Sequence, residues 1–381
     1  MSMTRRDRLM ATLRGDPVDR PAVSFYEIGG FEIDPSDPDP FNVYRDPSWQ
    51  PLLRLAEAET DLVRMRYPPG RPAAGNPRDE FFKTETAMKG PSRFTRTTLT
   101  VGGRTMTLLA RQDPDVATTW VLEHLLKDAD DLRAYLDLPD DVFAEEVDVS
   151  GLRAADAQVG DRGIVMVDAE DPICAAAGLF SMADFTVLAM TEPRLFHRLL
   201  EKLAPRIYAR TRRVSEALPG HLWRLYGPEY ATPPFLPPRL FEEYVVRYTG
   251  PMVRTILAGG GFPRIHCHGR IREALPHMVA MGAVATDPVE PPPQGDVELA
   301  WVRRTFGRDL VLFGNLEIAD IENLEAPAFE QVVARSLRDG TAGEGRGFVL
   351  MPSACPCGRV VAPKTMANYE TMVRLATAWR P

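Results

Sequence analysis

Three side chains that bind borderline metal ions stand together in the stretch Pro263–Gly269, which reads Pro-Arg-Ile-His-Cys-His-Gly. His266 and His268 lie two residues apart where a short apolar run ends. On extended backbone, residues at that spacing share a face, so both imidazoles can reach one ion while Cys267 points away. A second group, Cys355-Pro356-Cys357-Gly358, follows another apolar run, Phe348–Met351. The two groups together offer two nitrogens and one thiolate, from Cys355 or Cys357, to a zinc ion with an open fourth position. Such an ion would lower the pKa of an incoming thiol and hold it as thiolate, a nucleophile fit to accept an alkyl group. It could equally activate water, and the residues leave both outcomes open. The competing reading is plain: buried Cys is a common small hydrophobe, and His often serves as a hydrogen-bonded polar residue.

Side chains so far apart in the chain meet only if strands bring them to one end of a sheet. From Gly163 the pattern is regular. Strands are expected at Gly163–Asp168, His221–Tyr226, Phe262–His266, Ala283–Asp287, Asp309–Phe313 and Gly347–Met351. Between and after them come helical stretches: Met182–Leu218, broken near Glu192-Pro193, then Pro238–Ala258, Ile271–Met281, Val297–Phe306, Ala328–Arg338 and Met366–Trp379. Earlier apolar runs at Pro21–Phe25 and Asp61–Arg66 bring the strands to eight. This alternation predicts an α/β chain folded as a (β/α)8 TIM barrel, one domain over residues 1–381. Thr4–Leu13 reads as a helix capped by Thr4, Pro51–Glu59 as another, and Glu32–Trp49 as an irregular loop. Phe81–Ala110 differs: period-two runs flank Gly102-Gly103, the signature of an antiparallel β-hairpin insertion.

Barrel chemistry sits at the C-terminal ends of the strands. There the chain places Tyr26 and Glu27, Arg66 and Tyr67, Asp168 with Glu170 and Asp171, Glu229 and Tyr230, the His pair, Asp287 and Glu290, Asn315 and Glu317, and the Cys pair. Asp168, Glu229 and Tyr230 are candidate catalytic residues; Glu290 and Asn315 are candidate cofactor contacts. About half of such acids are expected to do no more than cap the helices that follow or stand in solvent. Glu229 lies in Gly227-Pro-Glu-Tyr, where Gly and Pro fix the backbone, beside the strand carrying the His pair, roughly 5 Å away laterally. It could fill the fourth position on zinc, leave when substrate arrives, and accept the substrate's proton. Otherwise it caps the helix near Pro238 or pairs with Arg239.

The net charge of −8 and pI near 5.4 argue against nucleic acid as a partner. Four cysteines in 381 residues form no disulfide framework. No stretch approaches the ~20 apolar residues of a membrane span. The charged start Met1–Arg8 leads into no apolar h-region. The expectation is a cytoplasmic protein with a small-molecule substrate, for which a homodimer is a candidate assembly.

Several motifs resemble the uroporphyrinogen decarboxylase superfamily. They are Arg5-Arg-Asp-Arg-Leu-Met-Ala-Thr-Leu-Arg-Gly-Asp-Pro-Val-Asp-Arg-Pro, Ile265-His-Cys-His-Gly, Glu290-Pro-Pro-Pro-Gln-Gly-Asp, Phe313-Gly-Asn-Leu and Pro363-Lys-Thr-Met-Ala-Asn-Tyr. Where true decarboxylases carry substrate-binding arginines after the first strand, this chain reads Phe25-Tyr-Glu-Ile-Gly-Gly-Phe. An acid there would repel a polycarboxylate porphyrinogen. The chain is more similar to the corrinoid-linked branch, of the methylcobalamin:coenzyme M methyltransferase kind, which binds zinc through His-x-Cys and a distant Cys. Here His266-x-His268 replaces the first pair, and Cys355 or Cys357 stands for the distant thiolate. The resemblance implies zinc and a cobalamin (corrinoid) co-substrate, either free or on a carrier protein, which would be a separate partner since no Asp-x-His-x-x-Gly carrier motif occurs in this chain. Two alternatives remain. One is a metal-dependent lyase, decarboxylase or hydrolase acting on a small carboxylated substrate, with Glu229 as base. The other is a non-catalytic corrinoid- or metal-binding protein.

Overall fold

The computed structural model describes residues 3–380; the expected domain limits, residues 1 and 381, lie outside them. Eight parallel strands form the central sheet: β1 (Ala22–Val23), β2 (Leu62–Arg66), β3 (Gly163–Glu170), β4 (Leu222–Tyr226), β5 (Phe262–His266), β6 (Ala285–Asp287), β7 (Val311–Leu316) and β8 (Phe348–Pro352). Their order around the sheet is β1-β8-β7-β6-β5-β4-β3-β2, with helices alternating outside, a (β/α)8 barrel. Both faces are covered, so the strands are largely buried, β8 along all five residues, and the buried charged side chains they carry are paired with one another. Inward side chains such as Ile164, Met166, Leu222, Val311 and Val349 fill the lumen, and Leu9 and Leu13 close it from below.

Those two leucines sit on the helix Arg5–Arg14. Thr4 caps it as expected, its hydroxyl accepting the Asp7 N–H at 3.0 Å, and Gly15 ends it at φ 79°. The helical break at Glu192-Pro193 is also present, between Met182–Thr191 and Pro193–Ala217. The stretch expected as one helix over Pro238–Ala258 is three pieces: Arg239–Phe241, a π-helical turn Glu242–Val246, and Arg247–Ala258. Pro251 lies shortly beyond the widened turn and cannot donate to the preceding turn of the helix.

The barrel's two end strands, β1 and β2, share no ladder. Asp61 joins them instead. Its N–H donates to the Val23 carbonyl at 2.7 Å, and its carboxylate accepts the Val23 N–H at 2.9 Å. The same carboxylate accepts from Arg8 Nη1 at 2.5 Å and Arg20 Nη1 at 2.8 Å.

The insertion is larger than one hairpin. Strands Phe82–Lys89, Ser92–Val101, Arg104–Gln112 and Thr119–Glu123 form a four-stranded antiparallel sheet. Gly102 and Gly103 make the expected turn, with φ 57° and 75°. A second small sheet pairs Gly70–Pro72 with Glu145–Val147. The first insertion strand is exposed along nearly its whole length, so it carries no apolar alternation from which its extent could be read.

Candidate active site

His266 ends β5 and His268 follows it, and each ring is gripped from one side. His266 pairs in register with Asp287 of β6, and its Nδ1 stands 2.7 Å from Asp287 Oδ2. The other Asp287 oxygen stands 2.9 Å from Arg264 Nε. Arg264 is only 1% exposed, with its guanidinium 4.6 Å over the Phe313 ring. Burial alone would push the Asp287 carboxyl up, but Arg264 and His266 outweigh it and bring it down to about 2. Asp287 is therefore an ionised acceptor, and His266 Nδ1 carries the hydrogen it receives.

His268 Nδ1 stands 2.8 Å from Glu290 Oε1, while Glu290 Oε2 accepts the Gly269 N–H at 2.7 Å. Burial lowers the His268 pKa, but its bond to Glu290 and the nearby carboxylates outweigh this and raise it. Burial acts upward on Glu290, and its bonds to His268 and Gly269 win, holding it below its ordinary range. Glu290, a candidate cofactor contact, is thus the partner of a histidine. The two imidazole centroids are 4.7 Å apart with planes at 90°. Among the described residues no hydrogen bond engages Nε2 of either ring. Cys267 points away from them into the outer core, as its parity requires.

The thiols lie elsewhere. Cys355 Sγ donates to Glu27 Oε2 at 2.7 Å, and burial followed by that acid pushes the thiol well up. Cys357 is exposed, with its carbonyl tied to the Ala117 N–H at 2.7 Å. Among the described residues, no three His, Cys, Asp or Glu side chains are gathered as a metal site. Two imidazoles come together; both thiols stand apart from them.

The remaining candidates are placed as follows. Asp168 lies in the floor below the histidines, held in a two-point pair by Arg224 of β4 at 2.6 and 3.0 Å. Arg224 also donates to the Tyr26 hydroxyl. That is the position of a buried counter-ion. Glu229 turns back on its own loop, Oε2 accepting the Gly227 N–H at 3.0 Å. It neither caps the later helix nor pairs with Arg239. Tyr230 packs on Phe185 and Phe235, with ring centroids 6.1 and 6.0 Å away, and burial pushes its hydroxyl up to about 12. Asn315 turns outward, its Oδ1 accepting the Ser336 hydroxyl at 3.0 Å.

Arg224 and Arg264 went unremarked in the sequence. Each stands two residues before an inward side chain at the end of its strand, so period-two parity alone marks it as facing the lumen. Two residues with positive φ, Tyr26 at 60° and Val289 at 59°, immediately precede the acids Glu27 and Glu290. Both conformations are uncommon for side chains of this bulk.

Gly227 holds the Glu229 loop at φ 120°, and a Cβ there would overlap Asp171 Oδ1 and Cys174 Cβ. Gly227→Ala is expected to destabilise the chain by about 1–3 kcal/mol through overpacking, with added backbone strain. A urea midpoint equal to that of the parent would contradict this.

A sequence profile of the uroporphyrinogen decarboxylase (URO-D) family matches residues 117–379. A solved structure, a methyltransferase from Methanosarcina mazei, superposes with a TM-score of 0.58 at 14% identity, covering 98% of this chain and 99% of the other. At that identity the likeness concerns the fold. No curated protein sequence matches the chain.

Proposed function

Because the chain belongs to the uroporphyrinogen decarboxylase family, we propose that it is a zinc-dependent methyltransferase working with a corrinoid methyl carrier. One observation carries this reading. Both imidazoles have Nδ1 held by a carboxylate and Nε2 uncommitted, the usual preparation of a metal-ligating histidine. The structural neighbour's name adds methyl transfer as the chemistry, and Glu27 after β1 argues against a polycarboxylate substrate.

His266 and His268 would hold the ion. The third donor would be Cys355, with its thiol freed from Glu27, or in its place Cys357. Zinc bound there would keep an acceptor thiol ionised at neutral pH. The protein's own part is orientation. Arg264 keeps Asp287 charged, Asp287 fixes the His266 ring and tautomer, and Glu290 does the same for His268. Beneath them, Arg224, Asp168 and Tyr26 form a rigid floor. The corrinoid arrives free or on a separate carrier protein.

The test is demethylation of methylcobalamin by the purified chain with a thiol, followed by its visible spectrum. Turnover is expected to stop on chelation and return with zinc. Turnover unaffected by a strong chelator would sink the zinc half of the proposal. A chain that keeps zinc but leaves methylcobalamin untouched would favour the hydrolase or lyase reading, in which the same imidazoles serve an activated water.

A further inference from the structure

Among the acids that follow barrel strands, three glutamates spend their oxygens unequally. Glu229 gives one oxygen to its own loop, and Glu290 gives both to His268 and Gly269. Glu317 follows β7 in the N-cap position of the short helix Ile318–Asn323, yet its side chain makes no capping bond. Ser353, at the end of β8, does that work: its Oγ accepts the Ile318 N–H at 3.2 Å. The Ser353 hydroxyl then donates to Glu317 Oε2 at 3.2 Å. Glu317 Oε1 is buried with no partner. An acid relieved of capping by a neighbour, with one oxygen buried and unpaired, is held for another task.

We propose that Glu317 is the proton-carrying group of the mouth, the base that takes the proton of the methyl acceptor; this rests on the methyl-transfer reading. The acceptor's S–H bond breaks, its electron pair stays on sulfur, and the proton passes to Glu317 Oε1. Once the thioether has left, solvent water removes that proton.

The surroundings suit the role. Burial and then Glu290 push the Glu317 carboxyl up, Ser353 pulls it down, Asp320 of its own helix adds a push, and His268 opposes; it settles at about 7. A base poised there is half ionised near neutrality and strong enough to take a proton. Since the ionised form is required, the rate rises with pH through about 7.

Two measurements test this. In protein labelled with ¹³C at the glutamate carboxyl carbons, one signal should titrate near 7 and be missing from Glu317→Gln. If the signal removed by that variant titrates at the ordinary glutamate value of about 4.3, the proposal fails. In the second, methyl transfer from methylcobalamin to 2-mercaptoethanol is followed against pH. Glu317→Gln should lose about 100-fold in rate together with the acid limb. Ser353→Ala, which removes the one bond favouring the ionised form, should move the carboxyl midpoint and the acid limb upward together. A parental pH profile in Glu317→Gln, or a limb that stays put while the midpoint moves, overturns the proposal. If the parent transfers no methyl group to the thiol, the methyltransferase reading falls and takes this role with it, whereas transfer that keeps the parental pH profile in Glu317→Gln overturns the role alone.

Discussion

Asp61→Ala will cost about 3–5 kcal/mol, enough to leave a large fraction of the chain unfolded at moderate temperature. The reason is local. Asp61 is 0% exposed and accepts from two arginines and from the Val23 backbone. Its removal strands Arg8, itself 4% exposed, with a buried positive charge and only Asp19 for compensation. It also takes away the side-chain half of the bridge that joins β1 to β2. Asp61→Asn keeps the shape but not the charge, and should fall between the variant and the parent. Urea unfolding followed by circular dichroism measures both. An unchanged midpoint in Asp61→Ala would mean that the seam is held elsewhere.

With zinc on the imidazole pair as proposed, His268→Ala is expected to lose the ion and to lower turnover by at least about 100-fold, beyond what loss of an outer partner costs. This histidine is the better of the two to test. Its side chain is 39% exposed, so truncation opens no buried cavity, whereas His266 is buried against Asp287. Glu290→Gln is the companion: it leaves the ligand atoms in place but weakens the grip on the ring, and should cost 10- to 100-fold in metal affinity. Elemental analysis after removal of loosely bound metal is the measurement. A full equivalent of zinc retained by His268→Ala would rule out the His pair as the site.

Much of the frame was legible because it rests on local signals. β5 was expected at Phe262–His266 and occupies those residues, since apolar parity and the polar run after it bound it on both sides. The cap at Thr4 and the break at Pro193 follow from side-chain chemistry that acts within a few residues. What escaped depends on partners distant in the chain. Cys355 and the His pair sit at ends of strands that are not neighbours, and no spacing says that Glu27 will claim the thiol. Asn315 looked like a mouth residue by position, yet Ser336 draws it outward. In the sequence Asp61 is the first residue of an expected strand; only the barrel's closure makes it a hub. Glu317 looked like one more capping acid until Ser353, 36 residues later, was found in that place.

Tyr26 and Val289 show why a strained backbone persists beside the site. Each sits in a conformation that glycine would accept freely, at a cost of roughly 1–3 kcal/mol. Glycine would release that strain, but the two side chains are 4% and 0% exposed, and losing their packing would cost about 2–5 kcal/mol each, so the exchange lowers stability. Glycine there would also let Glu27 and Glu290 wander, and with them the thiol and the imidazole they hold. Core packing and the aim of two acids therefore depend on the same two side chains, and both outweigh the strain of the backbone beneath them.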